Sequence, residues 1–319
     1  MRAKSEILRV ELQRAQYQGA LLGLAVGDAL GAPLKFRQPG EDGAVKEMTS
    51  GGPLNVQEGE WTDDTSTALC LAASLIDNKD FDASDLLFRL NKWRREGYLS
   101  STGMAFDVSA TMKMALDKYE ETKATECGGT SREWAGNDAI SRLAPVPMFY
   151  ANEPNKAIDF AIESAKTTHG ARECIDACAY MSAIIVGILR GDSKEKVLSD
   201  LYSPFGDDWT DYNFCDDIAS VASGSFKKNA PPNVTGSGFV GDTLESALWA
   251  FYRTNDFETG AVLAVNLGGD ADSTGAVYGQ IAGAYYGVGA IPQRWRDKIA
   301  QKNLIVALAD KLWKCAKAR

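Results

Sequence analysis

The sequence predicts a predominantly α-helical protein, on three observations. Ala, Leu, Lys and Glu recur at helical spacing through most of the 319 residues, and these residues lose little on entering a helix. Alternating β-branched stretches of the kind that form half-buried strands are nearly absent. Two glycine ladders repeat every four residues, Gly19, Gly23, Gly27 and Gly31 near one end of the chain and Gly275, Gly279, Gly283 and Gly287 near the other. Residues four apart share one face of a helix, so each ladder describes a helix whose bare face can approach another backbone closely.

Taken in order, the first helix is expected from about Glu6 to Gly31. Asp28 lies there among small apolar neighbours, where a carboxylate needs a partner. The segment Pro39 to Glu60, rich in glycine and charge, reads as a loop delivering the chain to Trp61-Thr62-Asp63-Asp64-Thr65-Ser66, directly before the apolar run Ala68 to Ile76. Helix capping explains one of these oxygen-bearing side chains; it leaves the others unexplained. Further helices are expected at about 82–95, 105–119, 155–167, 172–190, 194–201, 213–223, 242–253, 257–265 and 302–317. Glycine-rich connections at 128–136 and 230–241 are loops of a kind that often carries function. Near the C-terminal ladder, Gly268 and Gly269 free the backbone for an unusual turn. Asp270, Asp272 and Ser273 then place two carboxylates and a hydroxyl at the start of a helix, where free amides and the helix dipole tolerate negative charge. No shift in composition marks a domain boundary, so residues 1–319 are expected to form one domain.

The formal net charge of −9 and the lack of a basic tract argue against a nucleic-acid partner. The run Lys92 to Arg95, with Trp93 inside it, reads as a solvated helix face. Six cysteines at positions 70, 127, 174, 178, 215 and 315 are scattered, unlike a disulfide scaffold, and suggest a reducing compartment. The charged N-terminal segment lacks the apolar core of a signal peptide. The two most apolar stretches, Ala20 to Leu34 and Gly275 to Pro292, are short for spanning helices and contain Asp28 and Gln280. A cytoplasmic protein without a membrane partner is expected.

Gly236-Ser-Gly238-Phe-Val-Gly241 matches the dinucleotide pattern GxGxxG. A true match follows a buried strand, whereas Lys227 to Thr235 is polar and carries two prolines. The segment therefore reads as a loop entering a helix that Asp242 caps. His169 is the single histidine, so zinc sites built from several imidazoles within one chain are excluded. Cys174 and Cys178 sit at helical spacing and read as core. His169 falls in a polar, helix-ending turn where both structural and functional roles are open.

What remains is oxygen chemistry. Thr62, Asp63 and Asp64 near one end and Asp270, Asp272 and Ser273 near the other are hard donors, suited to Mg²⁺ or Mn²⁺ rather than zinc or copper. If the two segments converge, their four carboxylates repel unless metal neutralises them, and two divalent ions would balance them. A pair of ions about 3.5–4 Å apart can clamp substrate oxygens and make water nucleophilic at neutral pH.

Gly27-Asp-Ala-Leu-Gly31, Trp61-Thr-Asp-Asp-Thr65 and Gly268-Gly-Asp-Ala-Asp-Ser273, in that order, resemble the ADP-ribosylglycohydrolases, including the bacterial dinitrogenase-reductase-activating type. Gly97-Tyr98, Phe106-Asp107, Gly136-Asn137, Arg142-Leu-Ala-Pro145, Thr168-His169 and Gly241-Asp-Thr-Leu-Glu245 extend the likeness over nearly the whole chain. The resemblance implies a compact all-α orthogonal bundle with a binuclear centre of two Mg²⁺ or Mn²⁺ per chain. It implies metal ligands at Thr62, Asp63, Asp64, Asp270, Asp272 and Ser273, the last usually threonine in relatives. It places adenosine diphosphate along glycine-rich loops, here Gly136, Asn137 and Asp138 with Gly268 and Gly269, and has His169 contact the diphosphate. Asp107 matches a carboxylate near the scissile bond, and Asp63 or Asp64 would position water.

The activity implied is hydrolysis of the bond between ADP-ribose and a protein side chain, most readily arginine, with an ADP-ribosylated protein as substrate and ADP-ribose as product. Serine-linked ADP-ribose and O-acetyl-ADP-ribose are alternative substrates. A non-catalytic ADP-ribose binder, or a protein that masks a toxin, is an alternative of another class. A cognate ADP-ribosyltransferase or toxin is a further expected partner. Two positions depart from the pattern: Lys35 stands where relatives commonly have glutamate, and Asp138 where glycine is frequent.

Overall fold

The computed structural model describes residues 2–40, 43–205, 209 and 212–319, with backbone alone for residues 2–9. Helices joined by loops and short 3-10 turns make up the fold, and β-type pairing among the described residues is confined to isolated bridges such as Gly51 with Val56 and Gly136 with Phe239. The expected all-α bundle is what forms.

The two glycine-laddered helices, Arg2–Gly31 and Ala271–Tyr286, are its centre. They run antiparallel with Gly19 against Gly283, Gly23 against Gly279 and Gly27 against Gly275. A Cβ on Gly27 would stand 1.9 Å from the Gly275 carbonyl oxygen, and one on Gly279 would stand 1.9 Å from that of Gly23. The two backbones therefore touch directly, at a separation where Cα–H groups meet carbonyls and no side chain fits between. Residues 19–35 and 271–284 are buried without exception. This is the tightest kind of packing two helices can adopt, and it fixes their register.

The remaining helices wrap this pair. Lys302–Ala318 covers the outer face of the first helix, where Arg14 Nε and Gln18 Nε2 donate to Asp310 Oδ1 at 2.7 and 2.8 Å. Asp63–Asn78 packs against Ala83–Glu96 and the C-terminal helix, while Val240–Arg253 and Phe257–Val265 flank Ala271–Tyr286. On another side lies Arg172–Leu189, whose core face carries the buried Cys174 and Cys178. All six cysteines are free thiols, and Cys174 and Cys178 pack in the core as expected. No helix among the described residues is long and apolar enough to cross a membrane.

Element boundaries show where local signals were overruled. The helix expected from about 105 begins at Ala110, because Asp107 is held at φ +59° and Ser109 supplies the cap, its Oγ accepting from Met112 N at 3.0 Å. The helix after the Gly236–Gly241 loop begins at Val240, so Asp242 does not cap it; Asp242 sits in the first turn and accepts from Ser237 Oγ at 2.6 Å. The helix expected at 194–201 shortens to Lys194–Val197. Two short helices, Asp138–Ser141 and Pro145–Phe149, were not foreseen; four or five residues carry too little periodicity to show. The basic run at 92–95 is a helix face, with Arg94 and Arg95 paired to Asp117 and Glu120 and Trp93 buried beneath. The 39–60 segment is a loop in its described part; residues 41 and 42 lie outside the described residues.

A Gly27→Ala substitution should force the central helices apart and destabilise the fold by about 1–3 kcal/mol or more. Gly289→Ala, where an added methyl meets nothing within 4 Å, should leave the melting temperature nearly unchanged. Thermal unfolding of both variants checks this.

Candidate active site

The register of the central pair sets Asp28, one helical turn from the end of the first helix, beside the start of Ala271–Tyr286. Asp28 is fully buried and finds its partner in the turn before Asp63–Asn78. Its oxygens accept from Thr62 N at 3.0 and 3.1 Å, from Thr65 N at 3.1 Å and from Thr65 Oγ1 at 2.6 Å. That carboxylate is thus an external cap, neutralising free amides of a helix N-terminus from another element. It pins Thr62, Asp63 and Asp64 against the first helix.

The second acidic segment arrives by a different device. Gly268 and Gly269 adopt φ of +70° and +62°, and a side chain on either would collide with backbone, at Arg37 O and Gly236 O respectively. Phe36 N donates to Gly269 O, Gly269 N to Arg37 O and Asp270 N to Gly236 O, at 2.5, 2.8 and 2.5 Å. The glycine turn is therefore stitched between the 35–37 segment and the 236–238 loop, and it aims Asp270 and Asp272 toward Asp63 and Asp64.

The two segments converge. Asp63, Asp107, Asn137, Asp138, Asp270 and Ser273 line one cleft of about 390 Å³, with Lys35, Phe36, Gly136, Gly269 and the Gly236–Gly238 loop completing its walls. Thr62, Asp64 and Asp272 lie just beneath, at most 2 % exposed. Burial is the main force on these acids. It pushes the carboxyls of Asp63, Asp64 and Asp272 well above the ordinary range, helped by their mutual repulsion and opposed by Lys35. Burial also lifts Asp28 to about 6 against its four hydrogen bonds, and raises Asp107 despite the nearby lysine.

The donor set fits a hard cation. One oxygen from each of Asp28, Asp64 and Asp272 lies within 4.8 Å of the other two. Asp64 Oδ2 and Asp272 Oδ1 are buried without a hydrogen-bond partner among the described residues, a condition that costs free energy in a protein interior unless a cation or proton completes it.

The phosphate-path expectation fell on 136–138 and His169. Asn137 Nδ2 donates to Asp270 Oδ2 at 2.6 Å and Thr243 Oγ1 at 3.0 Å, so it orients a carboxylate of the acidic set. Asp138 lines the cleft, and His169 stands behind it, fully buried, with Nε2 2.9 Å from Asp138 Oδ2. The ionised carboxylate accepts from Nε2–H, and Nδ1 lies 2.8 Å from Thr168 Oγ1. Thr168 Oγ1 in turn accepts from the buried Arg142 Nη2 at 2.6 Å. Burial opposes the Asp138 charge, yet the His169 contact and Arg142 hold its carboxyl well below the usual range. The histidine thus reaches the cleft through Asp138. Gln280 fastens this segment to the central helix, donating to Ile140 O and Ser141 O and accepting from Ala144 N.

Several cleft residues escaped sequence reasoning. Ser109, Thr111 and Phe36 gave no signal beyond their own types, and the Gly236–Gly238 loop was read only as a connection. Gly268 does not line the cleft; its role in the structure is the turn. The partners of Lys35, three carboxylates from distant segments, had no local signature either: Nζ lies 2.5 Å from Asp107 Oδ2, 2.9 Å from Asp272 Oδ2 and 3.0 Å from Asp270 Oδ1.

The chain is thus an all-α bundle that closes a cleft over buried carboxylates and hydroxyls, a donor set that suits a hard cation. The sequence model of the ADP-ribosylglycohydrolase family matches residues 10–319, and the chain belongs to that enzyme family. It is 39 % identical over 296 residues to the ADP-ribosylarginine hydrolase Tri1 of Serratia proteamaculans (strain 568), covering 93 % of this chain and 78 % of that protein. It is 30 % identical over 288 residues to the ADP-ribosyl-[dinitrogen reductase] glycohydrolase of Rhodospirillum rubrum, covering 89 % and 90 %. A solved structure described as an ADP-ribosylglycohydrolase-related protein complex superposes with a TM-score of 0.84 at 40 % identity, covering 96 % of this chain and 99 % of that one.

Asp64→Asn removes a buried, unpartnered negative oxygen while keeping the shape. Without metal the variant should be more stable than the wild type at neutral pH, by about 1–3 kcal/mol, and excess Mg²⁺ should raise the melting temperature of the wild type and not that of the variant. Melting curves with chelator and with excess Mg²⁺ read both effects. The sign for the metal-free wild type follows from the raised carboxyl of Asp28: the stability it contributes should rise as pH falls from about 6 toward 4, where the folded state binds a proton that the unfolded chain does not.

Proposed function

We propose that this protein hydrolyses the N-glycosidic bond between ADP-ribose and a modified arginine of a protein substrate, releasing ADP-ribose. The observation that carries the reading is the meeting of Thr62-Asp63-Asp64 with Asp270-Asp272-Ser273 in one cleft whose rim also presents Asp107 and Asp138. The choice of arginine rests on relatives named ADP-ribosylarginine hydrolase, at 39 and 36 % identity.

In this reading Thr62, Asp63, Asp64, Asp270, Asp272 and Ser273 hold divalent cation, Mg²⁺ or Mn²⁺. Such a cation polarises ribose oxygens and makes water a better nucleophile at neutral pH. The chain's own residues do the rest. Departure of a guanidinium leaves positive charge developing on the ribose, and the carboxylates around the cleft stabilise it. Asp63 or Asp64 orients the attacking water and takes its proton, their raised carboxyl values suiting acid–base work. Asp107, held at a positive φ and facing the cleft, contacts the leaving group. Asn137 keeps Asp270 turned inward. The Asp138–His169–Thr168–Arg142 chain sets the wall along which the diphosphate lies, and the amides of the Gly236–Gly238 loop offer donors to it.

Incubation with arginine-, serine- and acidic-linked ADP-ribosylated substrates side by side tests the proposal. Free ADP-ribose should appear from the arginine-linked substrate, stop with chelator and return with Mg²⁺ or Mn²⁺. Asp63→Ala should lower kcat by about 100-fold or more. Full turnover by that variant in excess Mg²⁺, or label lost only from serine, would overturn the assignment.

A further inference from the structure

We infer that Lys35 is a built-in cation of the active site, its ammonium taking one of the two places that divalent ions would otherwise fill, so that the chain holds one divalent ion rather than two. The inference rests on the reading that the acidic cluster binds a divalent cation.

An ammonium group has three N–H donors. Lys35 Nζ donates to Asp107 Oδ2 at 2.5 Å and to Asp272 Oδ2 at 2.9 Å and forms an ion pair with Asp270 Oδ1 at 3.0 Å, so three carboxylates surround its charge. Lys35 is only 8 % exposed, and charge-assisted bonds of this kind are strong where water is excluded. The lysine is also held at its root. It ends the 3-10 turn Ala32–Leu34, and the next two residues are bonded to Gly269 on both sides, Phe36 N to Gly269 O and Arg37 O to Gly269 N. Backbone bonds to the very turn that bears Asp270 therefore fix where the side chain starts.

Asp272 shows how the site divides. Its Oδ2 is taken by Lys35, whereas its Oδ1 has no hydrogen-bond partner among the described residues. Asp64 Oδ2 is likewise buried and unpartnered. One side of the cluster, at Asp107, Asp270 and Asp272 Oδ2, is neutralised by a covalently attached positive charge. The other, at Asp64 Oδ2 and Asp272 Oδ1, presents bare oxygens that still call for a cation. A second divalent ion on the lysine's side would have to displace an ammonium paired with three carboxylates and then stand beside its like charge.

The test counts ions on the intact chain. Equilibrium dialysis against Mn²⁺ followed by elemental analysis should give about one ion per wild-type chain, and the bound ion should show the six-line electron paramagnetic resonance spectrum of an isolated Mn²⁺. Lys35→Gln, which keeps a polar side chain one atom shorter and removes the charge, should bind about two, with the broadened spectrum of an exchange-coupled pair. Circular dichroism establishes that the variant is folded, and the wild-type count decides the matter whether or not it is. Two coupled ions on the wild type overturn the inference while leaving the glycohydrolase reading intact. A folded Lys35→Gln that stays at one ion also overturns it. A wild-type chain that binds none overturns the inference together with the cation reading beneath it.

Discussion

The contact on which the rest of the structure depends is backbone against backbone, between Arg2–Gly31 and Ala271–Tyr286. Glycine every fourth residue on both helices removes the side chains that ordinarily keep axes apart, and the carbonyls of Gly23, Gly27, Gly275 and Gly279 occupy the space where Cβ atoms would be. Such an interface has one register, because a shift by one residue along either helix would bring a side chain into the gap. Register is what the site needs. Asp28 reaches the amides of Thr62 and Thr65 only if the first helix stops where it does, and the Gly268-Gly269 turn reaches Arg37 and Gly236 only if the partner helix starts where it does.

Upon that scaffold the protein gathers like charges that repel one another. Asp28, Asp63, Asp64 and Asp272 are nearly or wholly inaccessible, and the local device that tolerates them is the pair of helix N-termini at which they lie. Hydrogen bonds relieve Asp28, a lysine relieves part of Asp270 and Asp272, and Asn137 braces Asp270. Asp64 Oδ2 and Asp272 Oδ1 are left without a partner among the described residues. Such oxygens cost free energy in the folded state, and a cation or proton that completed them would stabilise it.

The parts of the site that were legible in the sequence were those carried by short runs of unusual composition. Four consecutive oxygen-bearing residues after Trp61, and the run Gly268-Gly-Asp-Ala-Asp-Ser273, stand out because neither capping nor solubility needs so many. Both do come to one cleft. Less legible were residues whose meaning depends on partners far along the chain. Lys35 was visible as a departure, but its carboxylate partners are 72 to 237 positions away. His169 was visible as the lone histidine, yet its place behind Asp138 follows from a parallel bridge between Gly129 and His169 and from the short helix Asp138–Ser141, neither of which leaves a periodic trace. Asp107 carries its positive φ for the same reason: the loop is bent by what surrounds it.

By itself the sequence determined the all-α class, the glycine faces, the two acidic segments and the hard-oxygen character of their donors, because helical periodicity and donor type are properties of neighbouring residues. The tertiary structure alone decided which carboxylate faces which, where the lysine's charge goes and which oxygens remain unpartnered. Those outcomes are set by the packing of elements separated by most of the chain, and Coulomb and hydrogen-bond energies depend on distances in space that no local pattern encodes.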